Sequence, residues 1–163
     1  MPIDPVLKKI AIFADVQNIY YTTREAFGRQ FNYRALWRKI SAKGEIVFAN
    51  TYAIHRGDVK QLKFQETLKH IGFNVKLKTY IQRSDGSAKG DWDVGITIDI
   101  MEKAKDVDTV VLLSGDGDFG ILMEKIKKDY SVNADVYSVP ALTANNLIES
   151  ASIYHPIEED LLL

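Results

Sequence analysis

A three-layer α/β/α sandwich built on a mainly parallel sheet of five or six strands is the fold this sequence predicts. Apolar, β-branched runs alternate with helical patterns along the chain. Two of the runs, residues 10–14 and 109–113, lack the period-two alternation of a half-exposed strand, as strands covered on both faces do. The segments between runs are long enough for helical crossovers, and right-handed crossovers cover both faces of a sheet once the winding direction reverses.

Strands are expected at 10–15, 45–54, 74–81, 109–114 and 134–139. Residues 33–43 place Leu36, Trp37 and Ile40 at helical spacing, and residues 59–71 stay in helix-forming order until Gly72 stops them. Residues 91–105 and 119–128 continue the rhythm, and a last short helix is expected over 143–151 after Pro140, with Thr143 as its N-cap. The stretch 82–90 reads as the one long polar loop, and the tail 158–163 is expected to fray. If 10–15 and 109–114 are neighbours where the strand order reverses, their carboxyl ends flank the crevice in which open α/β sheets bind ligands.

At 163 residues and 46% hydrophobic, the chain can bury a full core, and its length fits one domain over 1–163. Its start, Met1-Pro2-Ile3-Asp4-Pro5, has prolines and an acid where a secretory leader carries basic and then apolar residues, and no apolar stretch is long enough to span a bilayer. A cytoplasmic protein that does not enter the membrane is expected. With no cysteine and only three histidines, disulfides, thiolate metal sites and cysteine nucleophiles are excluded, which leaves oxygen ligands. The formal net charge of −1 argues against coating nucleic acid by bulk electrostatics, while local basic patches stay open. Self-association is compatible with the sequence, but nothing in it specifies an oligomer.

The chemistry-bearing residues are acids at strand ends. Ser114-Gly115-Asp116-Gly117-Asp118-Phe119 follows a buried strand directly, and glycines on both sides of Asp116 let the backbone turn sharply. Asp15 ends the first strand, with Asn18 close enough to cap the next helix or help hold an ion. Asp93 opens a helix after Gly90, where an acid also favours the helix dipole. Asp99 lies about 240° further round that helix and cannot share a face with Asp93. Carboxylates gathered without bases repel by about 4 kcal/mol per pair at 4 Å and an effective dielectric near 20, a cost that a divalent cation relieves.

Arg24, Arg29, His55, Arg56, Arg83 and Lys89 fall in segments expected to rim the same end of the sheet, where Arg56, Arg83 and Lys89 suit the flanking phosphates of a phosphodiester chain. Tyr20, Tyr21 and Trp92 suit stacking on unpaired bases if exposed. An EF-hand is excluded, because a loop counted from Asp116 has Gly120 at its fifth position and Lys127 at its twelfth. Neither standard glycine-rich phosphate loop nor a GxSxG elbow occurs. The strand-end sequence Asp15-Val16-Gln17 lacks the DxD of an aspartyl-phosphate phosphatase, so turnover of small phosphoesters ranks last among the activities considered.

Three blocks in order, Phe13-Ala14-Asp15-Val16-Gln17-Asn18-Ile19-Tyr20, Lys89-Gly90-Asp91-Trp92-Asp93-Val94 and Leu113-Ser114-Gly115-Asp116-Gly117-Asp118-Phe119, resemble the NYN domain in its LabA-like branch. The resemblance covers about 9–157 and includes Val136-Tyr137-Ser138-Val139 and Asn145-Asn146-Leu147-Ile148, similar to the family's closing strand and helix. It implies a PIN-like, Rossmann-like fold and a ribonuclease that cuts RNA with Mg²⁺ or Mn²⁺ held by Asp15, Asp93, Asp116 and Asp118. Asp15, Asp116 and Asp118 are expected to hold the ion or ions, with Asp93 completing the set directly or through water. Asn18 and Ser114 match family positions and are expected to orient ligands or substrate, which is expected to be single-stranded RNA. Val16 stands where the family usually has Gly, and Gly120 where Ala is commoner. The alternative is a regulatory module on the same fold that binds RNA or protein and cleaves nothing.

Overall fold

Lys9–Asp15 (β1) and Thr109–Leu113 (β6) pair in parallel from Ile10↔Thr109 to Ala14↔Leu113, which makes the two uninterrupted apolar runs central neighbours in the sheet. The computed structural model describes residues 7–55, 57–79, 81–82, 88–89 and 91–163, with backbone alone at 79, 81–82 and 88–89. β1 also pairs in parallel with Glu45–His55 (β2), and β2 with Asn74–Thr79 (β3). On the other side β6 pairs with Asn133–Ser138 (β7), and β7 with Ile153–Pro156 (β8). The order β3-β2-β1-β6-β7-β8 is all parallel, and it reverses between β1 and β6.

Val16–Phe27 (α1), Tyr33–Ser41 (α2) and Val59–Ile71 (α3) lie on one face, where Ile19, Leu36, Ile40 and Leu68 pack on Ile10, Ile12, Ala14 and Val111. Asp93–Ala104 (α4), Gly120–Tyr130 (α5) and Asn145–Ser150 (α6) cover the other face, where Ile96, Ile100, Met123, Ile126 and Leu147 pack on Phe13, Val110, Leu112 and Val136. α2 and α3 start at side-chain caps, Asn32 Oδ1 accepting from the Ala35 amide at 2.9 Å and Asp58 Oδ1 from the Gln61 amide at 2.7 Å. Gly72 ends α3 at φ 133°.

Three expectations change. The third strand stops at Thr79, and Ile81–Gln82 (β4), across the boundary of the expected strand and polar loop, pairs antiparallel with Ala88–Lys89 (β5). The last helix starts at Asn145, two residues after Thr143, whose hydroxyl instead donates to the Val139 carbonyl at 2.6 Å.

The tail does not fray. Glu159–Leu161 forms a 3₁₀ turn, Leu161 and Leu162 are 1% and 6% exposed, and Phe31 and Leu162 form a β-bridge. Arg29 pairs with Glu159 and its Nε donates to the Leu163 carbonyl at 2.7 Å, while Lys39 meets Asp160 at 3.0 Å. Since exposed ion pairs contribute under about 1 kcal/mol each, the two leucines are the main anchors. Truncating Leu161 to Ala is expected to lower the unfolding free energy by about 2–4 kcal/mol in urea titrations, and Glu159→Ala by under about 1 kcal/mol.

Candidate functional site

The reversal of strand order puts the carboxyl ends of β1 and β6 side by side. β1 ends at Asp15, 8% exposed, and β6 delivers Ser114 beside it, whose Oγ donates to Asp15 Oδ2 at 3.1 Å. The Asp116 amide donates to the same Ser114 Oγ at 3.2 Å, and Asp116 Oδ1 accepts from the Asp118 amide at 2.9 Å, capping the 3₁₀ turn Gly117–Phe119. Because α1 starts at Val16, Asn18 lies inside its first turn and is not the cap; its Oδ1 accepts the Gly115 amide at 2.9 Å and ties α1 to the loop after β6.

The glycines of that loop serve close approach. Neither Gly115 nor Gly117 has a positive φ. A Cβ on Gly117 would lie 2.7 Å from the Ala144 Cβ, and one on Gly115 3.2 Å from the Leu142 carbonyl oxygen. The loop therefore packs tightly on the segment leading into α6, and Asn146 Nδ2 donates to the Gly117 carbonyl at 2.8 Å.

Asp93, in the first turn of α4, reaches the same crevice from the face of the sheet opposite α1. Asp93, Asp116 and Asp118 each offer a carboxylate oxygen within 4.8 Å of the others, and among the described residues none of them forms an ion pair with a base. Three hard oxygen donors converging from half-buried and exposed positions fit a divalent cation. Asp15 is outside this triad and stands behind it at Ser114, so the geometry groups Asp93, not Asp15, with the loop pair.

Burial first, and neighbouring charge second, raise two of the acids. Burial pushes Asp15 up to about 6, with Asp116 and Asp91 adding to the rise and the Ser114 hydroxyl and Asn18 backbone opposing it. Asp93 is pushed up to about 7 by desolvation, by a hydrogen-bonding approach to Asp116, and by the charges of Asp116, Asp15 and Asp91. Asp91 is the residue that sequence reasoning missed: it is exposed, its Oδ1 accepts from the Asp93 amide at 3.3 Å, and an acid two residues ahead of a helix was the available signal.

Other expected residues go elsewhere. Burial pushes the Asp99 carboxyl upward, but Lys76 Nζ at 2.7 Å and Tyr52 Oη at 2.7 Å outweigh it and hold Asp99 below the usual range. Arg24 bonds Tyr20 Oη at 3.1 Å, and Arg29 holds the tail. Trp92 donates from Nε1 to the Ala53 carbonyl at 2.9 Å and packs on Tyr52, while Tyr20 and Tyr21 are exposed on α1. Arg56 and Arg83 lie outside the described residues, as does the side chain of Lys89.

An all-parallel sheet with three carboxylates converging at its switch point defines an α/β protein whose strand ends carry an oxygen donor set that fits a cation. The chain belongs to the NYN domain family, whose pattern it matches over residues 9–158, and with it to the PIN-like nuclease superfamily. It is 27% identical over 154 residues to the low amplitude and bright protein LabA of Synechococcus elongatus, covering 90% of this chain and 82% of that protein. The crystal structure of VPA0982 from Vibrio parahaemolyticus, a protein of unknown function, superposes with a TM-score of 0.93 at 51% identity and full coverage of both chains. A carbohydrate kinase from Agrobacterium tumefaciens, 14% identical with a TM-score of 0.51 over 91% of this chain and 60% of that one, shares the fold alone. Among the described residues, no helix is long and apolar enough to cross a membrane.

A carboxyl raised on folding stabilises the protein while protonated, and that contribution is lost as pH climbs through the raised value. For Asp15, shifted from 3.8 to about 6, the full linkage is roughly 3 kcal/mol. About half of it falls between pH 5 and pH 8, so Asp15 alone is expected to lower the melting temperature of the metal-free protein by about 3–6 °C from pH 5 to pH 8 in calorimetry. Asp15→Asn should flatten that difference, and added Mn²⁺ should raise the melting temperature at pH 8 more than at pH 5.

Proposed function

We propose that this chain is a ribonuclease of the cytoplasm that uses Mg²⁺ or Mn²⁺ to hydrolyse phosphodiester bonds of single-stranded RNA. The observation that carries the reading is the triad Asp93, Asp116 and Asp118 converging at the switch point with no ion-pairing base among the described residues. Family membership supports the same chemistry. A divalent ion bound there would bring a water toward ionisation near neutral pH and offset charge developing on the scissile phosphate.

The chain's own residues have separate tasks in this reading. Asp93, Asp116 and Asp118 hold the ion, and Asp15 adds negative charge directly or through water. Ser114 fixes Asp15 and the Asp116 amide together, so it sets the orientation of two acids with one hydroxyl. Asn18 locks the loop through the Gly115 amide. No side-chain nucleophile is needed, because water attacks phosphorus as the bond to the leaving oxygen breaks. Arg56, Arg83 and Lys89 are assigned to flanking phosphates from their place in the sequence.

Labelled single-stranded RNA incubated with the purified protein and Mn²⁺ is expected to be cut, and Asp116→Asn or Asp93→Asn to reduce the rate by about 100-fold or more. Retention of RNA without cleavage by parent and variants alike would replace the enzyme with a binding module.

A further inference from the structure

On the face opposite α4, a cavity of about 590 Å³ opens between α1, α2 and α3. Val16 and Gln17, which directly follow Asp15, line it, as do Ala53 and Ile54, which directly follow Tyr52, the β2 partner of Asp15 in the strand register. The acids and the cavity are thus built on the same two strand ends. The charge of Asp15 contributes to raising the hydroxyl pKa of Tyr33, a cavity residue whose rise comes first from burial.

The lining is aromatic inside and basic outside. Tyr33 and Phe64 meet edge to face with ring centres 5.7 Å apart, and Tyr20 and Tyr21, 44% and 48% exposed, form a similar pair at 5.4 Å nearer solvent. Arg34, Lys60 and Lys63 add three exposed cations, none of which makes an ion pair with a described residue. Asp58, the acid among the lining residues, is engaged as the α3 cap. A volume within the usual range for organic ligands, flat π-faces and cations with no ion-pair partner among the described residues together match a base with its phosphate.

We propose that this cavity is a nucleobase subsite, which takes an unpaired base next to the phosphodiester held at the acids and stacks it on the α1 tyrosines while Arg34, Lys60 and Lys63 hold the adjoining phosphate. It rests on the ribonuclease reading for its substrate, but its test does not need cleavage. A short single-stranded RNA carrying one 2-aminopurine would be titrated with the intact protein in EDTA, following quenching of the base and binding affinity. Strong quenching is expected, with affinity falling about tenfold or more in Tyr21→Ala, in Lys60→Glu/Lys63→Glu, and when an abasic residue replaces the 2-aminopurine. All of these positions are exposed, and circular dichroism would verify folding. Equal affinity for abasic and intact RNA, indifference to the variants, or no RNA binding at all would overturn the subsite. Quenching and its loss in the variants, with no cleavage when Mn²⁺ is added, would keep the subsite and remove the nuclease.

Discussion

Carboxylates brought within 4.8 Å of one another without a base repel, and a fold that gathers them must hold their carriers by other means. Here the carriers are a loop and a helix start, with Asp15 on a strand end behind them, and each is fixed by contacts that do not involve the triad's free oxygens. The β1–β6 ladder sets Asp15 beside Ser114, and the Ser114 hydroxyl bonds both Asp15 and the Asp116 amide. Asn18 and Asn146 grip the loop from α1 and α6, through the Gly115 amide and the Gly117 carbonyl. Each such bond contributes about 1 kcal/mol, so several are needed against repulsion of a few kcal/mol.

The raised carboxyls of Asp15 and Asp93 are the other side of the same balance. Protonation is the route by which an acidic cluster relieves itself in the absence of a cation, and a divalent ion competes with protons for the same oxygens. Asp91 belongs to this balance although it lies outside the triad: it adds negative charge at the crevice while its Oδ1 steadies the first turn of α4. Asp99, one and two-thirds turns further along α4, shows the contrast, since the Lys76 ammonium neutralises it and the Tyr52 hydroxyl donates to the same oxygen.

Periodicity revealed the central strands because burial on both faces leaves no polar positions, and the end of α3 was marked by Gly72, while its Asp58 cap shows only in the fold. β8 escaped notice because Ile153–Pro156 is four residues long and half-exposed, too short for alternation to register. The tail looks solvated because of Glu158, Glu159 and Asp160, whereas Arg29 meets Glu159 and Lys39 meets Asp160 from 130 and 121 residues away, and such partners are invisible in local sequence. At the site, the bracket of glycines marked Asp116 and Asp118 correctly as a special turn, but for a different physical reason. What excludes a side chain is the wall formed by Leu142 and Ala144, which only the folded chain brings there. Asp93 was equally a helix-dipole acid and a ligand on composition alone, and the family resemblance decided its expectation.

The two departures from the family pattern fall on opposite sides of the loop and act differently. At Gly120, a Cβ would lie 2.5 Å from Asn146 Nδ2, the nitrogen that donates to the Gly117 carbonyl, so an alanine there must move the amide that pins the loop. Its glycine lets Asn146 come close. Val16 instead packs at the edge of the α1–α3 core and lines the cavity at the residue after Asp15. A glycine at that point would leave the strand end open, whereas the branched side chain adds an apolar, rotamerically stiff wall between the acids and the aromatic cavity. Val16 therefore sits at the junction between the strand end that carries Asp15 and the cavity, and its side chain sets the shape of that junction.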